Sequence, residues 1–254
     1  MRIGVLGVGH LAGAIVTRWV ESGWPASDIV LSPRGQAGAL AKRFGLALAP
    51  DNAALVAGSD AVLLAVRPAD ACAAVTGLPW QARHILVSAC AGVSIKSLAA
   101  SAGISRIMRI MPLIAVEIGA SPTTVHPDFP EMRPALERLG SVLPMRSEAE
   151  FQAATTTAAI YGWAQELVRQ TTGWLVEKGL EPAMARQLAA RTFTAAGRLS
   201  AESTHDLDSL MAGITTPGGI TELGLNALAR DGMPSAWRAA CEAVLAKLQG
   251  TARQ

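Results

Sequence analysis

Two stretches of this 254-residue chain place residue types at a spacing that could hold an anion. The first is Gly7-Val8-Gly9-His10-Leu11-Ala12, within MRIGVLGVGHLAGAI. A short apolar run precedes it and a helix-compatible run follows, the setting in which a G-x-G-x-x-A pattern rises above chance. Gly7 permits a tight turn, Gly9 lets backbone approach a pyrophosphate, and Ala12 allows a helix to pack closely on a sheet. The bare amides at the start of that helix favour phosphate charge. His10 stands where a polar side chain could reach the same oxygens. The alternative is a glycine turn that holds nothing.

Which dinucleotide suits such a loop is decided about 20 residues on, where Asp or Glu at the end of the second strand grips the ribose of NAD. Here that strand ends Leu31-Ser32-Pro33-Arg34, without an acid. Ser32 and Arg34 could instead hold a 2′-phosphate, Arg34 through its planar fork. NADPH is therefore expected ahead of NADH. The competing reading makes Arg34 a solvated charge at a helix start.

The second stretch is ITTPGGITELG, at 214–224. Pro217-Gly218-Gly219 should stop one helix, and Ile220-Thr221-Glu222-Leu223 should open another. This is either a plain turn between packed helices or a helix start kept bare for an anion. In the second case Gly218 and Gly219 leave their amides unobstructed, and Thr221 supplies a neutral hydroxyl.

Two architectures must carry these stretches. In the first part, apolar runs at 3–6, 28–32, 60–66, 84–88 and 104–110 alternate with Ala-rich segments such as 10–22, 34–44 and 94–101. That alternation predicts right-handed crossovers and a mostly parallel, Rossmann-type α/β sheet. Runs at 123–126 and 142–145 are expected as edge strands, with a short helix over 130–139 between them. After about Met145 strand-like runs stop, and 148–178, 182–202, 207–211, 220–230 and 234–248 are helix-compatible. The expected domains are 1–147, binding the dinucleotide, and 148–254, all-helical. So small and apolar a helical domain would expose much of its surface alone, so a homodimer or an oligomer built from dimers is expected.

Composition excludes several classes. Net charge is +2 with scattered basic residues, unlike the basic face of a nucleic-acid binder. No uninterrupted apolar run reaches roughly 18 residues, so a spanning helix is not expected. Cys72, Cys90 and Cys241 are odd in number and lack metal-ligand spacing, so no metal and a reduced, cytoplasmic chain are expected. No signal-peptide pattern is seen at the start.

The order of the glycine loop, LLAVRP at 63–68, AGVSI at 91–95, RIMP at 109–112 and TPGGIT at 216–221 resembles pyrroline-5-carboxylate reductase over nearly the whole chain. The resemblance implies a two-domain NADPH enzyme that reduces a cyclic imine, Δ1-pyrroline-5-carboxylate, to proline. It implies a helical half that intertwines with a second subunit, and an active site between nucleotide domain and helices. Gly7, Gly9, His10 and Leu11 would cradle the pyrophosphate. Ser32, Arg34 and Asn52 would meet the adenosine ribose and its phosphate. Ala65, Val66, Arg67 and Pro68 would line the cofactor, with Met111 and Pro112 near the nicotinamide. Thr216, Gly218, Gly219, Ile220 and Thr221 would form the substrate turn, with Thr221 as the catalytic hydroxyl near the imine nitrogen.

The chain departs from the family's pattern at three places. Leu113-Ile114-Ala115 follows Met-Pro where the family has Asn-Thr-Pro. Thr157-Ala158-Ala159-Ile160-Tyr161-Gly162-Trp163 stands for a Ser-Gly-Ser-Gly-Pro-Ala-Tyr helix start, and Ile220 replaces a threonine. Each change makes the expected site more apolar. A polar substrate group facing Leu113 or Ile114 would lose a partner, at about 1–3 kcal/mol. Two alternatives follow: a reductase of a more apolar cyclic imine, or a catalytically weak NADP-binding accessory protein. Elsewhere His84 is expected at a strand edge, His126 and His205 as solvated or capping groups, and Cys90 as a small buried residue. Trp163, Trp174 and Trp237 are expected to pack helices at a subunit interface.

Overall fold

In the computed structural model, which describes residues 1–250, the chain divides into two compact units. The first covers Met1–Ala158 together with the segment beginning at Lys247, and the second covers Ala159–Ala246.

The first unit alternates strand and helix: β1 (Ile3–Leu6), α1 (His10–Glu21), β2 (Ile29–Leu31), α2 (Ala37–Phe44), β3 (Ala47–Leu48), α3 (Asn52–Ala57) and β4 (Ala61–Leu64). It continues with α4 (Ala71–Val75), β5 (Ile85–Ser88), α5 (Ile95–Ala102), β6 (Ile107–Met111), β7 (Thr123–His126), α6 (Arg133–Leu136), β8 (Val142–Pro144) and α7 (Glu148–Ala154). The strands form one sheet in the order β3-β2-β1-β4-β5-β6-β7-β8. Neighbours run parallel throughout except for β6 and β7. The order reverses direction between β1 and β4, so the carboxyl ends of these two strands flank the crevice where such sheets bind ligands.

The central strands are apolar along their whole length because both faces are covered. On one face Ile3, Val5, Leu63 and Val87 pack with Ile15 and Trp19 of α1, Leu40 of α2 and Leu136 of α6. On the other, Leu6, Val62 and Leu86 pack with Leu55 of α3, Val75 of α4 and Leu98 of α5. The Trp19 indole N–H donates to the Ala135 carbonyl at 2.8 Å, so burying that ring leaves no orphaned donor.

Three short elements lie outside the sequence expectation: β3, α3 and α4. They are too short for periodicity to show, and α3 is set by a local cap, the Asp51 carboxylate accepting the Ala54 amide at 2.7 Å. The expected helix over 130–139 is α6 flanked by 3-10 turns at Pro130–Met132 and Glu137–Leu139.

The expected boundary at 147/148 falls at the Ser147 cap of α7, yet α7 belongs to the first compact unit. The cause is Arg109 on β6, which is only 2% exposed. Its guanidinium donates to Glu148 Oε1 and to Gln152 Oε1, both at 2.9 Å, and lies 4.6 Å from the Phe151 ring centre. Glu148 Oε1 also accepts the Ile95 amide at 2.8 Å, and Gln152 Nε2 donates to the Leu248 carbonyl at 2.8 Å. Among the described residues the hydrogen-bond partners of this strand charge come from α7. The expected single helix over 148–178 breaks after Ala154, where the Thr155 hydroxyl bonds back to the Phe151 carbonyl at 2.8 Å.

The second unit holds α8 (Thr157–Glu177), which begins within the first, then α9 (Pro182–Glu202), α10 (Leu207–Ile214), α11 (Ile220–Arg230) and α12 (Met233–Leu248). Pro182 opens α9, where Glu181 accepts the Ala183 and Met184 amides at 3.0 and 2.9 Å. Trp163 and Trp237 meet edge to face at 5.3 Å between ring centres. Its fully buried residues are small, Ala185 and Ala189, while Trp174, Met184, Leu199 and Leu223 are exposed. Among the described residues no helix is long and apolar enough to cross a membrane, and no cluster of His, Cys, Asp or Glu could hold a metal.

His84, at the start of β5, is fully buried rather than at an open edge. Its Nδ1 accepts the Gln81 amide at 2.9 Å, and its Nε2 has no partner. Burial, and then nearby Arg83, push its pKa below the ordinary value. The unfolded chain therefore binds this proton more readily than the folded chain. The stability contributed by the neutral ring is complete above about pH 6.5 and is lost as pH falls from there through the folded pKa. Replacing His84→Gln should flatten the fall in unfolding free energy on acidification below about pH 6.5; an unchanged slope in urea titrations would refute this. Removing Glu148 strands a buried charge, so Glu148→Ala should lower stability by about 3 kcal/mol or more. A loss under about 1 kcal/mol in the same titration would show that Arg109 needs no partner.

Candidate functional site

The glycine loop leaves β1 at Leu6 and turns at Gly7, whose φ of +92° is a left-handed conformation. A Cβ there would also stand 2.6 Å from Val66 Cγ1 and 2.9 Å from the Ala65 carbonyl oxygen. Only glycine lets the end of β1 pass the end of β4 this closely. Gly9 caps α1 with no side-chain bond, and a Cβ on it would meet nothing within 4 Å, so the loop is open on that side. The first bond of α1 runs from the Gly13 amide to the Gly9 carbonyl at 2.9 Å. The amides of His10, Leu11 and Ala12 thus have no carbonyl one turn back. His10 is exposed at this open edge, and Leu11 packs against the core.

The exit of β2 braces the loop. Ser32 is buried and its hydroxyl accepts the Gly7 amide at 3.2 Å. The Val8 carbonyl accepts the Gln36 amide at 2.8 Å, which brings Gly35 so close that a Cβ would lie 2.3 Å from that oxygen. Ser32 therefore shapes the loop from inside, while Arg34 is exposed beside it. Arg34 and Asn52 share an open depression of about 380 Å³ with Pro33 and Asp51, so two of the three residues expected at the ribose are brought together, and Ser32 is not among its lining.

At the exit of β4, Ala65 and Val66 are half-buried against the glycine loop, whereas Arg67 and Pro68 are exposed. Arg67 pairs with Asp70 at 2.8 Å. Cys90 lies behind this edge, its thiol 3.3 Å from the Val66 carbonyl. Burial raises its pKa, which leaves it a packing group rather than a nucleophile. At the exit of β6, Met111 and Pro112 are buried. Leu113, expected to face substrate, is also buried at 7% exposure, and its amide donates to Ser121 Oγ at 2.9 Å. Ile114 packs partly against the core beneath α1. In the first unit these two apolar residues serve packing, because the chain dips back toward β7 after Pro112.

In the second unit the Pro-Gly-Gly turn does what its residues demand. Gly218 has φ +72°, and Gly219 caps α11. The two glycine amides are not bare, however. The Gly219 amide donates to the Thr216 carbonyl at 2.8 Å, and the Gly218 amide donates to Glu222 Oε2 at 2.7 Å. The first bond of α11 runs from the Leu223 amide to the Gly219 carbonyl, so the amides without a carbonyl one turn back are those of Ile220, Thr221 and Glu222. The open donors therefore lie one to three residues beyond the glycines. Ile220 points outward at 91% exposure, and Thr221 is half-buried. Sequence reasoning missed Glu222, although its place three residues after the cap is the signature of a side chain that reaches back to the turn.

Two families match this chain. Residues 148–251 match "Pyrroline-5-carboxylate reductase dimerisation", and residues 2–92 match "NADP oxidoreductase coenzyme F420-dependent". A pyrroline-5-carboxylate reductase of Corynebacterium melassecola is 26% identical over 261 residues, covering 95% of each chain. Pyrroline-5-carboxylate reductase 3 of Danio rerio is 28% identical, over 96% of this chain and 88% of the relative. The fold is shared with a pyrroline-5-carboxylate reductase from Coxiella burnetii, with a TM-score of 0.84, 20% identity and coverage of 100% and 99%. It is shared equally with the NADP-bound pyrroline carboxylate reductase of Plasmodium falciparum, with a TM-score of 0.87 and 18% identity over 100% and 98%. A segment that matches an NADP oxidoreductase and a segment that matches a pyrroline-5-carboxylate reductase dimerisation domain therefore stand in one chain, which is similar over nearly its whole length to pyrroline-5-carboxylate reductases.

Proposed function

We propose that this protein is an NADPH-dependent reductase of small cyclic imines of the Δ1-pyrroline-5-carboxylate type, the substrate for which its relatives are named. The observation that carries this reading is the pairing of two features in one chain. The first unit holds an open glycine loop braced by Ser32, and the second holds a Pro-Gly-Gly turn that leads into Thr221.

The residues of the first unit suit the cofactor. The glycine loop takes the pyrophosphate on the amides of His10 and Leu11. Arg34 and Asn52 meet the ribose and its 2′-phosphate, since β2 does not end in the acid that would grip an unphosphorylated ribose. Ala65, Val66, Arg67 and Pro68 follow the cofactor past β4, and Met111 and Pro112 mark the nicotinamide end. When bound, NADPH supplies the hydride. In the second unit Thr216, Gly218, Gly219 and Ile220 shape the substrate turn, and the Thr221 hydroxyl accepts from the imine N–H. A protonated cyclic imine is already electrophilic, so orientation does the work of a strong acid.

The exposed apolar surface of the second unit suits a homodimer through its helices. Three free thiols suit a reducing compartment such as the cytoplasm.

Purified protein should oxidise NADPH when given a cyclic imine. Thr221→Ala should lower kcat/KM by about tenfold or more; full activity in that variant would remove Thr221 from the reaction. Arg34→Ala should raise the Kd for NADPH about tenfold while leaving that for NADH unchanged. Equal losses for both cofactors would mean that Arg34 does not read the 2′-phosphate. Tight NADPH binding without turnover of any cyclic imine would favour an accessory protein instead.

A further inference from the structure

The end of the last helix belongs to the first unit, where Lys247 and Leu248 close α12. The last carbonyls of a helix have no amide ahead of them. The Lys247 carbonyl accepts the Gly250 amide at 3.2 Å, whereas the Leu248 carbonyl is claimed from 96 positions away, by Gln152 Nε2 at 2.8 Å. The other atom of that side-chain amide, Oε1, accepts the Arg109 guanidinium at 2.9 Å. One amide thus joins a helix end to the buried charge of β6, with its donor on the first and its acceptor on the second. Gly92 completes the contact. Its φ is +75°, and a Cβ there would stand 3.2 Å from the Leu248 carbonyl oxygen. Gly92 follows β5, which lies between β4 and β6 with all three parallel. In the same stretch the Cys90 thiol lies 3.3 Å from the Val66 carbonyl, and Arg109 stands two residues before Met111. The Leu248 carbonyl is therefore clasped at the carboxyl edge of β5 and β6, beside the residues proposed for the nicotinamide.

We propose that Gln152 is a positioning residue: by holding Leu248 against Gly92 it fixes the strand exits at which the nicotinamide presents its hydride. The inference rests on the reading of this chain as an NADPH-dependent imine reductase with Met111 and Pro112 at the nicotinamide end. Gln152 acts through Leu248 and Arg109, and not on the reacting atoms. Hydride transfer needs its two carbons about 3–3.5 Å apart, and a displacement of roughly 1 Å costs about 100-fold. Releasing the turn at Gly92 shifts that boundary, while the loop at 7–12 stays braced by Ser32. The clasp thus governs the hydride step and not the affinity for the cofactor.

Gln152→Glu separates the two ends of the side chain. A carboxylate still accepts from Arg109, so the buried charge keeps its partner. It has no donor for the Leu248 carbonyl, and it sets a negative charge against the negative end of α12. Gly92→Ala presses on the same carbonyl. Wild type and variants are assayed with 1-pyrroline-5-carboxylate and with NADPH carrying hydrogen or deuterium at the transferred position, and NADPH binding is followed by its fluorescence. Each variant should lower kcat about tenfold or more and raise the isotope effect on kcat, with the Kd for NADPH unchanged. An isotope effect does not depend on how much of the protein is active, so a merely destabilised variant loses kcat with that effect unchanged. Such a result overturns the inference. So does an unchanged kcat, a loss confined to NADPH affinity, or the failure of both variants to fold. A wild type that does not oxidise NADPH with the imine overturns the reductase reading itself, and this inference with it.

Discussion

Everything in the first unit depends on how closely the ends of β1 and β4 approach. Gly7 turns with a positive φ against the Ala65 carbonyl and the Val66 side chain, leaving no room for a Cβ. Because the two strands are adjacent at the point where sheet order reverses, that crowding shapes the mouth of the crevice. The Gly7 amide, pulled inward, is taken by the buried Ser32 hydroxyl. The amides that follow in α1 are then left facing outward, with Gly9 keeping their approach clear. An open row of amides, suited to a pyrophosphate, is thus a by-product of satisfying one awkward turn from three strands at once.

A second constraint, the charge of Arg109, ties the far side of the sheet to α7. A buried guanidinium is stable only with its partners in place, and here Glu148 and Gln152 come from one short helix. Burial lowers the pKa of this group while the Glu148 bond opposes that, so strand and helix hold each other. The consequence reaches function because Arg109 lies two residues before Met111. The same helix that satisfies the charge fixes the strand end expected at the nicotinamide. The family match at 148–251 begins with this helix, so the start of the matched segment is held to the sheet by an ion pair within the first unit.

In the second unit the packing economy is reversed. Its fully buried residues are alanines, and its large apolar side chains face outward. Such helices gain little by packing on one another, and their surface asks for a partner of like character. Within that unit the Pro-Gly-Gly turn is a locally complete structure. Proline stops the helix, Gly218 takes the left-handed conformation, and Glu222 closes the turn from the next helix. Local completeness is why the Glu222 carboxylate takes an amide that the sequence alone leaves open.

The sequence by itself determined whatever depends on near neighbours. The strand-helix alternation, the glycine loop, the late helices and the Pro-Gly-Gly break were all legible, because periodicity and backbone freedom act within a few residues. α11 falls on the expected span of 220–230, and β1 and β7 on theirs. Only the tertiary structure decided where polar groups end. Ser32 acquires a role as acceptor for the Gly7 amide that its spacing does not show, and the glycine amides at 218 and 219 looked open until Thr216 and Glu222 took them. Leu113 and Ile114 looked like the wall of a cavity until the chain dipped inward after Pro112. The placement of α7 with the sheet follows from a bond between residues 39 apart in sequence. Spacing along a chain shows which atoms could donate or accept. Which of them remain free is settled only when distant segments have claimed the rest.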